Sequence, residues 1–124
     1  MKPETEEWVE IAEQDLRAAS VLLQSGLDPQ CVFFCEQAIE TLLKAIWVEQ
    51  ASEGVPPRTH DLVSLAKDLG LGLSEEQTEF LRKLAEQYMP TRYADIPVEY
   101  SRQTAENYCE NTMELFSWLR QRLS

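Results

Sequence analysis

Three observations predict that this 124-residue chain is all-α: an up-and-down helical bundle of four long helices plus one short helix, in a single domain over residues 1–124. Apolar residues recur at helical spacing along most of the chain. No segment alternates apolar and polar residues between hairpin turns. Glycines, prolines and capping residues punctuate the sequence at intervals that suit helices of bundle length. Each apolar stripe must then pack on another helix, which makes a bundle.

The first helix is expected from Glu4 to about Ser25, with Trp8, Ile11, Ala12, Leu16, Ala19, Leu22 and Leu23 as one stripe and Gly26 as its stop. Asp28-Pro29 reads as an N-cap carboxylate followed by proline at the first helical position. The second helix should then run from Pro29 to about Ser52. Cys35, Ile39, Leu42 and Ile46 form its apolar row, widened by Phe34, Ala38, Ala45 and Trp47, so it should be central. Gly54-Val55-Pro56-Pro57 ends it. Thr59 is expected to cap a short helix over Asp61 to Leu69, closed by Gly70. Ser74-Glu75-Glu76-Gln77 matches a capping box for the next helix, with Phe80, Leu81, Leu84, Ala85 and Tyr88 inward. Pro90 should break that helix and leave Thr91 to Pro97 as a loop. The last helix should begin near Val98 to Ser101 and bury Ala105, Tyr108, Cys109, Thr112, Leu115, Phe116 and Leu119.

The composition bounds the function. An apolar content of 44% is normal for a globular domain. No run of about 18 apolar residues occurs, so no membrane span is expected. The acidic start, Met1-Lys2-Pro3-Glu4-Thr5-Glu6-Glu7, lacks the pattern of a signal peptide, and three cysteines do not make a disulfide framework; a cytoplasmic protein is expected. A net charge of −11 repels a phosphate backbone, so any nucleic-acid or nucleotide contact must be local, through a few placed cations.

Three islands carry polar groups beside core positions: Glu36 to Ala45, Thr59-His60-Asp61-Leu62, and Thr91-Arg92-Tyr93. Glu36, Glu40 and Lys44 share one face of the second helix. Glu36 and Lys44 read as solvated charges, whereas Glu40 borders the core. Asp15 lies on or beside the stripe of the first helix. His60, the only histidine, suits a general base, a phosphate contact or a loop–helix hydrogen bond. Arg58 adds positive charge beside it. Arg92 with Tyr93 suits a phosphate and a base respectively, or a loop anchor. Cys31 and Cys35 lie on successive turns. A closed zinc site would need Cys109 and His60 to converge on them, so packing is the reading and no metal is expected. No hydrolase nucleophile motif and no glycine-rich phosphate loop is present.

These islands resemble the HEPN family, the higher eukaryotes and prokaryotes nucleotide-binding domains. The resemblance runs from Trp8 and Ala12 to Ala19, through Phe33 to Ala45 and Thr59 to Leu62, to Thr91-Arg92-Tyr93 with Asp95. It implies a helical bundle, often a homodimer, with a cleft for nucleotide or RNA. It also implies a minimal nucleotidyltransferase partner, in some cases within a toxin–antitoxin pair. The family's ribonuclease branch carries an arginine, four to six residues, then a histidine. Arg92 and Arg102 have no histidine after them, and Tyr100 stands eight residues after Arg92 where that motif has decayed.

The resulting expectation is a nucleotide- or RNA-binding protein with little or no catalysis. Arg92 and Tyr93 form its site, Arg58 and His60 are outer phosphate contacts, Glu40 and Asp15 are orienting acids, and no cofactor is needed. Two alternatives stand beside it. One is a metal-independent endoribonuclease using Arg92 with His60 brought in from elsewhere in the dimer, these two being the catalytic candidates. The other is a pure interaction module. Trp8, Phe33, Phe34, Trp47 and Trp118 are expected to leave apolar surface for a homodimer.

Overall fold

The computed structural model describes residues 1–96 and 100–123. Among them run six α-helices: α1 Pro3–Gln24, α2 Asp28–Gln50, α3 Leu62–Asp68, α4 Glu75–Ala85, α5 Tyr88–Arg92 and α6 Arg102–Arg120. A 3-10 turn over Gln121–Leu123 follows, and no strand occurs among the described residues. The four long helices and the short α3 are those read from the sequence; α5 is an addition.

α1 starts with Pro3 in its first turn and Glu4 and Glu6 near its positive end. The Lys2 backbone N–H and the Thr5 hydroxyl both donate to Glu49 Oε1, at 2.9 and 2.8 Å, tying the start of α1 to the end of α2. Gly26, at φ 76°, takes the left-handed turn that lets the Leu27 N–H reach back to the Leu22 carbonyl. The chain therefore reverses, and α1 and α2 pack antiparallel. Ala12 and Ala19 are fully buried at this seam, where their small side chains allow close approach. α2 also packs on α3, α4, α5 and α6, which is why its buried surface is so broad.

Several local expectations are corrected. Asp28 is the first residue of α2 rather than its cap, and its side chain makes no capping hydrogen bond. Ile11 is 51% exposed, so the buried stripe of α1 is narrower than its apolar sequence. Asp61, not Thr59, caps α3, accepting from the Ser64 N–H at 3.1 Å; Thr59 instead accepts from the Asp61 N–H. The capping box of α4 is present as read, with reciprocal Ser74–Gln77 bonds of 2.9 and 3.0 Å. α4 ends at Ala85, before Pro90, and Thr91 and Arg92 are helical rather than looped. Pro90 sits in the first turn of α5, where a backbone N–H has no helical partner to lose. Ser101 caps α6 through the Thr104 N–H, and Val98 lies outside the described residues, as does Pro97. The five aromatics expected at an interface are half-buried against the core or against each other.

Candidate functional site

One face of α2 presents Phe33, Glu36, Gln37, Glu40 and Lys44 toward α5 and the loop before α3. Glu40 is its hub. One oxygen receives the His60 Nδ1–H at 2.6 Å, and the other lies 3.1 Å from the Lys44 ammonium. The Glu40 and Lys44 side chains are only 7% and 12% exposed, so this is a largely buried ion pair rather than a solvated one. Glu36 is 0% exposed, which corrects its reading as a surface charge. Gln37 donates to Glu36 Oε2 at 2.6 Å, while Glu36 Oε1 has no hydrogen-bond partner among the described residues. Burial, and then the Glu40 charge, push the Glu36 carboxyl up to about 9. Neutral Glu36 therefore sits beside anionic Glu40, and the proton removes the cost of an orphaned buried anion.

The Glu40 carboxylate accepts from Nδ1, so in neutral His60 the lone pair lies on Nε2. The imidazole is 49% exposed and stacks on Tyr88, with centroids 3.7 Å apart and planes at 21°. Tyr88 lies 6.0 Å from Phe33, and the Arg92 guanidinium lies over the Phe33 ring at 4.3 Å. The result is a continuous ladder, His60–Tyr88–Phe33–Arg92, with one nitrogen ring and one exposed guanidinium at its ends. Below it, Tyr100 donates to Gln87 Oε1 in the turn that leads into α5. Burial pushes the Tyr100 hydroxyl up to about 12, so it stays a donor.

The structure thus joins Glu40 to His60 directly and Arg92 to them through two rings. It does not bring in Asp15, whose carboxyl is raised by burial and which pairs with no charged group among the described residues. Arg58 is exposed and pairs with no acid among the described residues. Tyr93 is 49% exposed and its ring meets no other ring among the described residues, so Arg92 takes Phe33 as its aromatic partner. Arg102 is occupied elsewhere, with Glu106 at 3.1 Å and Asp28 at 3.6 Å. Tyr88 and Phe33 join the candidate site without being named for it from the sequence, and Glu36 and Lys44, expected as solvated charges, join it as buried groups. The one signal for Glu36 and Lys44 was their four-residue spacing from Glu40; nothing local marked the two rings.

Glu36, Glu40 and His60 offer ligand atoms within 4.8 Å of one another, a set that could hold a divalent ion, although Lys44 already neutralises Glu40. A cavity of about 580 Å³ between α4 and α6 is lined by Glu75, Glu76, Glu79, Phe80, Lys83 and Tyr108. It contains none of the ladder residues, and its three acids make it hostile to phosphate.

The HEPN domain family model matches residues 5–122. The chain belongs to the HEPN family. A crystal structure of TT1696 from Thermus thermophilus superimposes with a TM-score of 0.85 at 26% identity, covering 97% of this chain and 98% of that one. ST0689, described as an archaeal HEPN homologue, superimposes over all of both chains with a TM-score of 0.79 at 23% identity, a likeness of fold. No protein of curated function matches the chain. In this HEPN domain no described helix is long and apolar enough to cross a membrane.

Proposed function

We propose that this HEPN domain binds a nucleotide or a short stretch of RNA along the His60–Tyr88–Phe33–Arg92 ladder. The observation that carries the reading is the ladder's charge: a fixed guanidinium and a fixed imidazole face solvent together on a protein of net charge −11. Arg92 contacts phosphate oxygens, His60 joins it through Nε2–H when its ring is protonated, and the exposed Tyr93 beside Arg92 offers a face to a base. Glu40 and Lys44 hold the imidazole rather than touch the ligand. We also propose a minimal nucleotidyltransferase as partner, in a toxin–antitoxin-like pair, and a homodimer as the working form, a reading that membership of the family supports.

Calorimetry with ATP and with a short single-stranded RNA tests the binding. Arg92→Ala and His60→Ala should each weaken it by about tenfold or more, since a hydrogen bond to a charged group contributes about 1.5–3 kcal/mol. Binding untouched by both substitutions overturns the assignment. Co-purification of a co-expressed neighbouring nucleotidyltransferase tests the partner.

The Glu40–His60 pair favours a second reading, a metal-independent endoribonuclease. A carboxylate on Nδ1 leaves Nε2 free to take the 2′-hydroxyl proton, and Arg92 could steady charge at phosphorus. Cleavage of a structured RNA in chelator, lost in both His60→Ala and Arg92→Ala, would establish this enzyme in place of the binding protein.

A further inference from the structure

We propose that Cys31, Cys35 and Cys109 form a three-thiolate site for a soft, thiophilic metal ion of the Cu(I) class, held between α2 and α6. All three are free and buried, and their Sγ atoms lie within 4.8 Å of one another. Cys31 and Cys35 come from successive turns of α2 and Cys109 from α6, so the set exists only when the two helices pack. Metal–thiolate bonds of about 2.3 Å place three sulfurs about 4 Å apart around a trigonal ion, near the spread observed. A second observation marks the same pocket. Thr112 is fully buried, and its hydroxyl is the polar atom set against the Cys35 sulfur.

The donor set selects the ion. Sulfur alone suits soft cations and not Mg²⁺ or Ca²⁺. A structural zinc ion takes four ligands, and the histidine that could complete such a set, His60, is held by Glu40. Three sulfurs in a dry site suit a three-coordinate soft ion. The first thiol to bind the ion gives up its proton. Each further thiol that binds releases its proton to solvent.

The test uses the reduced, full-length protein under anaerobic conditions with Cu(I) and a competing chelator. The expected result is one ion per chain, with circular dichroism unchanged. Cys31→Ser, Cys35→Ser and Cys109→Ser should each lower affinity by more than the roughly 10- to 100-fold that loss of an outer-shell partner costs. Thr112→Val should lower it less. X-ray absorption on the wild-type complex gives a measurement that no variant's folding can confuse, and should show three sulfur neighbours. Two sulfurs, nitrogen or oxygen neighbours, binding that survives removal of any one cysteine, or binding only with loss of helicity would each overturn the site.

Discussion

Glu36 shows how one residue can tie the site to the fold's response to pH. Its carboxyl titrates near 9 in the folded chain against an ordinary 4.5, because burial and the Glu40 charge oppose ionisation. Between those values the folded state holds the proton and the unfolded state does not. Stability attributable to this residue is therefore greatest below about 4.5 and declines as pH rises toward about 9. Glu36→Gln keeps the shape and the hydrogen-bonding capacity without the proton equilibrium. It should flatten that decline and raise the urea midpoint at pH 8 relative to wild type. A midpoint with the same pH dependence in both proteins would show that Glu36 is ionised in the fold. None of this was legible in the sequence, where Glu36 looks like a helix-surface charge. Its burial arises because α5 and the loop before α3 fold over that face of α2.

At the scale of elements, the sequence was most legible where a structure is decided locally. The Ser74–Gln77 box and the Gly26 turn depend on a few neighbouring residues, and both stand as read. Replacing Ser74 by alanine should cost about 1 kcal/mol, seen as a lower denaturation midpoint, because one first-turn N–H loses its acceptor. No change would mean that water replaces the cap without loss. The failures are equally physical. Pro90 read as a breaker, yet proline is harmless in a helix's first turn, and α5 forms around it with the Thr91 hydroxyl bonded to the Gln87 carbonyl at 2.7 Å. That short helix is what carries Tyr88 to His60 and Arg92 to Phe33. Adjacency suggested Arg92 with Tyr93; the ring that Arg92 meets is 59 residues away in sequence, as their numbers show. Sequence alone named two ends of the ladder, His60 and Arg92, but not its rungs.

For the whole molecule, the bundle follows from periodicity and the family from the resemblance of the polar islands, whereas assembly and ligand follow from neither. Ile11, Val21, Leu27 and Met113 leave apolar surface exposed, and this supports the proposed homodimer better than the half-buried aromatics do. Sedimentation at micromolar concentration should give twice the 14.3 kDa chain mass; a monomer at high micromolar concentration would remove the dimer. The −11 charge also bears on binding, since a ligand held by one guanidinium and one imidazole releases few counterions and its affinity should fall only gently with salt.

Contact between nucleotide and the ladder can be measured directly. The protein contains a single histidine, so its imidazole nitrogen signals in a long-range ¹⁵N–¹H correlation spectrum belong to His60 without ambiguity. Titration with ATP or a short RNA should shift the Nε2 resonance and, in parallel, the Arg92 Nε–H, with little change at Phe80 and Tyr108. Saturating ligand that leaves both nitrogens unmoved, or that perturbs only the α4–α6 cavity, would place the nucleotide away from the ladder.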